Sequence, residues 1–376
     1  MRILAVTPYY TPEGGGLERY AHEILRRLAH RHDVHVLAAG TSPSPGVQEV
    51  EGVLVERHAP RLRLGNTPLD PALRRRVADH LRRHRPDVVW AHSPVPFPAE
   101  MAYLASRKAG VPFALTYHAG RLRGSNPLLG LAAALDRSTL ERRMMAGAHG
   151  LVAVGPYVRD HALGRHRDRV QVIPPGVDTA RFTPGPPAGR GDGQDILFVG
   201  PLDTSYRWKG LDTLLAALPA VRRRHPAARL VLVGKGDRVP ELQARAAAEG
   251  LVLAGRLPED ALAEAYRSSA VACLPSTTDA ESFGMVLAEA NACGRPVVAS
   301  RVGGIPDFVR HGDNGLLAAP GDAADLARRL NEILYRPGEA RRMGQRGLER
   351  VRREHDWDQL ADKTAAVLES ASAATA

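Results

Sequence analysis

At 376 residues, with 44 % apolar and 24 % charged residues, the chain has the length for two domains with separate cores and the balance of an ordinary globular protein, which excludes a disordered one. Two cysteines, Cys273 and Cys293, are too few for a disulfide framework or a cysteine-based zinc site and point to a reducing cytoplasm, and no apolar run is long enough to cross a bilayer. The net charge of +10 admits nucleic acid, anionic lipid or an acidic substrate, but lysine stands only at 108, 209, 235 and 363, so an arginine-rich composition accounts for part of it.

Residues 2 to 7 read as a buried strand rather than a leader. Tyr9, Tyr10 and the run Gly14, Gly15, Gly16 then form a loop ahead of a helix from Leu17 to about His30. Strand, glycine-rich loop and helix start is the arrangement in which backbone amides approach a phosphate or sugar. The spacing is not that of a dinucleotide fingerprint, and a plain tight turn is the competing reading. Strands follow at 34–38 and 53–57. A helix over 70–85 has Leu73, Val77 and Leu81 on one stripe and Arg74, Arg75, Arg76, Arg82, Arg83 and Arg85 around the rest. That is a solvated outer face or a membrane-surface patch; the narrow stripe favours the first, while Arg121, Arg123, Arg137, Arg142 and Arg143 keep the second open.

The strand at 88–90 leads to His92, and the strand at 112–117 leads to His118, Ala119 and Gly120. Ligands of open parallel sheets gather at such strand ends. His118 is preferred, because open space follows it and an imidazole beside a sugar can donate a hydrogen bond or move a proton. A histidine merely held by its neighbours is the commoner fate. Further strands are expected at 150–154 and 170–173, and the Pro/Gly-rich segment 184–194 marks a linker. Strands and helices alternate again from 195, predicting a second open parallel α/β sheet. Loops after its strands carry Arg207 and Lys209, suited to a diphosphate, and Gly234.

The stretch 275–300 reads as strand end, loop, helix and strand. Ser282 is its expected N-cap, which would leave the amides of Phe283, Gly284 and Met285 as donors to an anion. Glu281 precedes the helix and Glu289 lies inside it, roughly 10 Å further along the axis. A nucleotide sugar, with hydroxyls at both ends and a diphosphate between, fits that spacing. The glycine pair Gly303, Gly304 permits close backbone approach, helices are expected at 322–334 and 338–354, and a last helix starts near 356.

Four segments carry a resemblance: ESFGMVLAEANACGRPVVAS from Glu281, the loop from Val302 to Asp307, DNGLL from Asp313, and VIPPGVD from Val172. Together they resemble the retaining glycosyltransferases of family 4, over essentially the whole chain. The resemblance implies the type B fold, two Rossmann-like domains facing across a cleft: an acceptor-binding domain at 1–183, joined by the helix at 356–376, and a nucleotide-sugar domain at 195–355. It implies transfer of a sugar from a nucleotide diphosphate sugar to an acceptor hydroxyl or amine with retention of configuration, with no metal or other cofactor. By this likeness His118 and Glu281 act at the sugar. The likeness also implies that Gly15, Gly16, Lys209, Phe283, Gly284 and Glu289 face the donor; the reading of the residues adds Arg207, Gly234, Ser282 and Met285 on that side and Tyr9, Glu18 and His92 as candidate acceptor contacts. Pro201 stands where many members carry arginine, and Asp307 where glutamate is usual. The acceptor is expected to be a small molecule, a lipid-linked compound or a glycan. The expected location is cytoplasmic, with a peripheral station at the inner face of the membrane left open. The rival readings are a nucleotide-sugar epimerase or hydrolase and a basic protein that binds lipid or nucleic acid. Aromatic content of 5 % argues against the nucleic acid.

Overall fold

The computed structural model describes residues 1–40, 46–64, 67–119, 139–185 and 194–374. It divides into two compact units, one formed by Met1–Pro175 with Trp357–Ala376 and the other by Gly176–Asp356. Gly120, Arg121, Arg123, Arg137 and most of the expected linker lie outside the described residues.

The first unit is built on β1 (Arg2–Thr7), β2 (Asp33–Ala39), β3 (Gly46–Val50), β4 (Val53–His58), the short pair β5 (Leu62–Leu64) and β6 (Thr67–Leu69), then β7 (Val88–Ser93), β8 (Phe113–Tyr117), β9 (Gly150–Ala153) and β10 (Val170–Val172). The main sheet runs β10-β9-β8-β7-β1-β2-β4-β3. Every pairing is parallel except β3 with β4. The apolar runs at β1, β7 and β8 are buried, as parallel strands covered on both faces require. β3 escaped the sequence reading because it is an exposed edge with no apolar face to read. From β1 the order grows outward both ways, so the switch point lies between β1 and β7.

Two helices pack together in this unit. Gly16–Leu28 buries Tyr20, Ile24 and Leu28, a four-residue repeat, and Trp357–Ala373 buries Trp357, Leu360 and Leu368. Tyr20 and Trp357 meet edge to face at 5.8 Å, and Arg31 pairs with Asp362 on the outside. In the arginine-rich helix Leu73–His84 the stripe Leu73, Val77 and Leu81 is buried, while Arg74, Arg75, Arg82 and Arg83 are exposed.

The crossing into the second unit comes at Pro175–Gly176, ahead of the segment 184–194 that composition marks as linker. Val177 and Phe182 already belong to the second core, and the Val177 amide donates to the His355 carbonyl at 2.8 Å, so the two ends of this unit are tied together. Its strands are β11 (Ile196–Val199), β12 (Leu230–Val233), β13 (Leu251–Gly255), β14 (Val271–Leu274), β15 (Val297–Ser300) and β16 (Gly315–Ala318), all parallel in the order β13-β12-β11-β14-β15-β16. Alternate residues supply the two faces: Ile196, Phe198, Leu230, Leu232, Val271 and Cys273 enter one apolar cluster, and Leu197, Val233, Ala272 and Leu274 the other. β11 is flanked by β12 and β14, so the switch point, where such sheets bind ligands, lies between β11 and β14.

Candidate active site

The loops leaving β11 and β14 therefore emerge side by side, and they carry Lys209 and Glu281. The first ends in a tight turn, Thr204–Lys209, closed by Gly210 at φ +78°. A Cβ at 210 would sit 1.8 Å from the Pro275 carbonyl oxygen, so only glycine lets the loops touch. The Thr277 amide then donates to the Trp208 carbonyl at 2.8 Å. The result is a Lys209 Nζ to Glu281 Oε2 distance of 2.7 Å, with the Ser276 hydroxyl donating to the same oxygen at 3.0 Å. Glu281 is 6 % exposed, and the Lys209 side chain 20 %. The ammonium also lies 4.4 Å from the centre of the Trp208 ring.

The helix that follows is Met285–Ala292, and it is not capped by Ser282. Gly284 is the N-cap, at φ +80°, and no side chain caps it. The reason is packing: Phe283 turns into the core, within 5.3 Å of the Phe308 ring and 5.2 Å of His355, and glycine takes the left-handed turn that this demands. The first-turn amides are thus those of Met285 and Val286, not those of Phe283 and Gly284. The glycine pair fixes Glu281 from the other side. The Gly304 amide donates to the Glu281 carbonyl at 2.9 Å, and a Cβ at 304 would meet the Ser282 carbonyl oxygen at 1.8 Å. Glu289, 2 % exposed on the second turn, accepts a hydrogen bond from the Tyr266 hydroxyl at 2.8 Å.

Two expected donor contacts have other work in this structure. Gly234 donates its amide to the Gly255 carbonyl at 2.9 Å, and a Cβ there would meet the Gly200 carbonyl oxygen at 1.9 Å, so it is a packing position between loops. Arg207 is exposed, with Asp212 at 3.9 Å.

In the first unit β7 and β8 are neighbours, with His92 opposite Thr116, and this brings the two strand-end histidines together. His92 Nδ1 lies 2.8 Å from His118 Nε2. Both rings are buried, His92 against Trp90 at 4.4 Å and His118 against Tyr20 at 4.9 Å. Burial pushes the His118 imidazole down to about 3, and burial with the neighbouring His118 holds His92 well below the usual histidine range, so both are neutral at pH 7. One proton lies between them. If His118 donated it, His92 would carry its own proton on Nε2, which is buried without a partner. A buried orphan N–H costs more than a buried orphan lone pair. His92 Nδ1–H therefore donates to His118 Nε2, and His118 carries its proton on Nδ1. His118 has a hydrogen bond to give and no lone pair with which to take a proton, which removes half of the role expected for it. Fully buried, His92 is a partner of His118 and not an acceptor contact.

Glu18 also differs from expectation. Its carboxylate accepts from the Gly15 amide at 2.7 Å, capping a helix that starts at Gly16, so both the Gly15 amide and Glu18 are engaged with each other. Burial raises the Glu18 carboxyl above the usual range. Tyr9 is half-buried, with Arg63 at 5.8 Å from its ring centre. Ser276, Trp208 and Tyr266 were not singled out in the sequence. Ser276 shares a loop with Glu281 and Trp208 adjoins Lys209, which were the available signals, whereas nothing local announces Tyr266.

Two family descriptions match the chain, "Glycosyltransferase Family 4" over residues 14–181 and "Glycosyl transferases group 1" over 193–336. A glycogen synthase of Mycobacterium tuberculosis is 31 % identical over 98 % of this chain and 94 % of its own. A GDP-mannose-dependent alpha-(1-6)-phosphatidylinositol monomannoside mannosyltransferase of the same organism is 31 % identical over 99 % of each. Among solved structures, sucrose-phosphate synthase from Thermosynechococcus elongatus superposes with a TM-score of 0.81 over all of both chains at 22 % identity, a likeness of fold.

Proposed function

The chain belongs to glycosyltransferase family 4, and we propose that its second unit holds the nucleotide-sugar donor at the Lys209–Glu281 pair. As a family member it is a retaining glycosyltransferase of the type B fold that uses nucleotide-sugar donors. The observation that carries the finer reading is the 2.7 Å contact between Lys209 and Glu281 at the switch point of the sheet. Breaking the bond between the anomeric carbon and phosphate leaves negative charge on the diphosphate. A lysine ammonium beside a helix start stabilises that charge, and a carboxylate held by its backbone on one side and by Ser276 on the other fixes the sugar hydroxyls. Without donor the two charges hold each other in position. The acceptor's proton passes to the departing phosphate oxygen as the new glycosidic bond forms.

The relatives' names describe different products, so no donor or acceptor is transferred to this chain. The exposed arginines of helix Leu73–His84 support a lipid-linked acceptor at an anionic surface, and sedimentation with anionic vesicles tests that point. For the activity, nucleoside diphosphate release is measured over a panel of nucleotide sugars with and without sugar, inositol and lipid acceptors. Release that depends on an acceptor is expected. Equal release without any acceptor would replace this reading with a hydrolase.

A further inference from the structure

Three histidines of the first unit converge at the opposite end of the sheet from His92 and His118. His35 is the third residue of β2, and His80 and His84 stand one turn apart on helix Leu73–His84, which leads into the start of β7. One ring nitrogen from each lies within 4.8 Å of the others. The rings touch: His80 and His84 are stacked at 4.3 Å, with His35 at 5.1 Å and 4.7 Å from them. Sugar transfer has no use for this cluster.

Two of the three have a carboxylate beside one ring nitrogen. Asp33 Oδ1 is 3.2 Å from His35 Nε2, and Glu56 Oε2 is 3.8 Å from His80 Nδ1. A carboxylate on one nitrogen, as Asp33 stands to His35, is what orients a metal-binding imidazole through the other. His80 is 3 % exposed, and its Nδ1 has no hydrogen-bond partner, since Glu56 stands too far off.

We propose that His35, His80 and His84 form a site for a divalent cation of the zinc class, with three imidazole ligands and a fourth position for water. Imidazole nitrogens select such an ion over magnesium or calcium, which take oxygen ligands. Tetrahedral Zn–N bonds of about 2.0–2.1 Å set ligand nitrogens roughly 3.3 Å apart, so the rings must close slightly around the ion. His84, exposed at the end of its helix, has the freedom to do so. The ion would brace β2 against this helix, remote from the transfer chemistry, so its signature is binding and stability rather than turnover.

The test uses the full-length protein without a polyhistidine tag, stripped with chelator and titrated calorimetrically with ZnCl2, with MgCl2 in parallel, and separately with CoCl2 while visible absorption is followed. One zinc per chain at micromolar affinity or tighter is expected, with the strong absorption of tetrahedral cobalt and a raised thermal midpoint. His84→Ala, at an exposed position, keeps the fold, weakens zinc binding at least about tenfold and loses the cobalt absorption. Absence of saturable zinc binding, unchanged binding in His84→Ala, or equal binding of magnesium overturns the proposal.

Discussion

Replacing Lys209 with methionine, Glu281 with glutamine, and then both together separates what this pair does for the fold from what it does for transfer. Removing one partner of a fully buried ion pair costs about 3–5 kcal/mol. Here the lysine side chain is 20 % exposed and Ser276 still donates to Glu281, so Lys209→Met is expected to cost about 1–3 kcal/mol. For a unit of this size that lowers the thermal midpoint by roughly 3–10 °C. Glu281→Gln leaves the ammonium without its carboxylate and should cost a similar amount. The double variant buries no unpaired charge, and its stability should return to within about 1 kcal/mol of the parent. Transfer should behave in the opposite way. Each single variant loses about 10²–10³ in turnover, the usual effect of deleting a group that meets developing charge, and the double variant recovers none of it. Thermal midpoints and acceptor-dependent nucleoside diphosphate release are measured on the same preparations. Additive destabilisation in the double variant would show that the two residues are not coupled. Near-parental turnover in any of the three would refute their place at the donor.

Two further outcomes follow from the geometry around the same groups. Gly304→Ala forces a Cβ into the Ser282 carbonyl and should cost about 1–3 kcal/mol while displacing Glu281 and depressing transfer, whereas Gly338→Ala, with no atom within 4 Å, should leave transfer intact; equal transfer in the two would contradict the packing argument. His118 stays neutral in the folded protein down to about pH 3, but in the unfolded chain it takes a proton near 6.5. Its contribution is therefore complete above pH 6.5 and is lost as pH falls below that, by up to about 1.4 kcal/mol per pH unit. Thermal midpoints from pH 7.5 to 5 should fall more steeply in the parent than in His118→Gln, and parallel slopes would exclude the buried neutral imidazole.

Much of the scaffold was legible because its signals are local. Runs such as Ile196–Val199 and Leu230–Val233 are apolar on both faces and bounded by turns, so they read as buried parallel strands. The cap of the helix after Glu281 was misread because Ser282 has the right chemistry for an N-cap, while the inward pull of Phe283 that moves the start to Gly284 is tertiary. Lys209 and Glu281 were each legible as candidate donor residues. Their contact was not, since it spans 72 positions and exists only because β11 lies beside β14. The same holds for His92 and His118: both were read as strand-end histidines, but that one engages the other's lone pair depends on the pairing of β7 with β8.

The helix Trp357–Ala373 completes the first unit, yet it is synthesised only after the whole of Gly176–Asp356. On the ribosome the first unit therefore emerges with the face of Tyr20 that Trp357 covers still open to solvent. At about 5–20 residues per second this lasts on the order of ten seconds or more. The second unit, continuous in sequence and closed by the bond between Val177 and His355, has no such wait. The nascent chain thus finishes its second unit first, and the unit that began synthesis is the last to close.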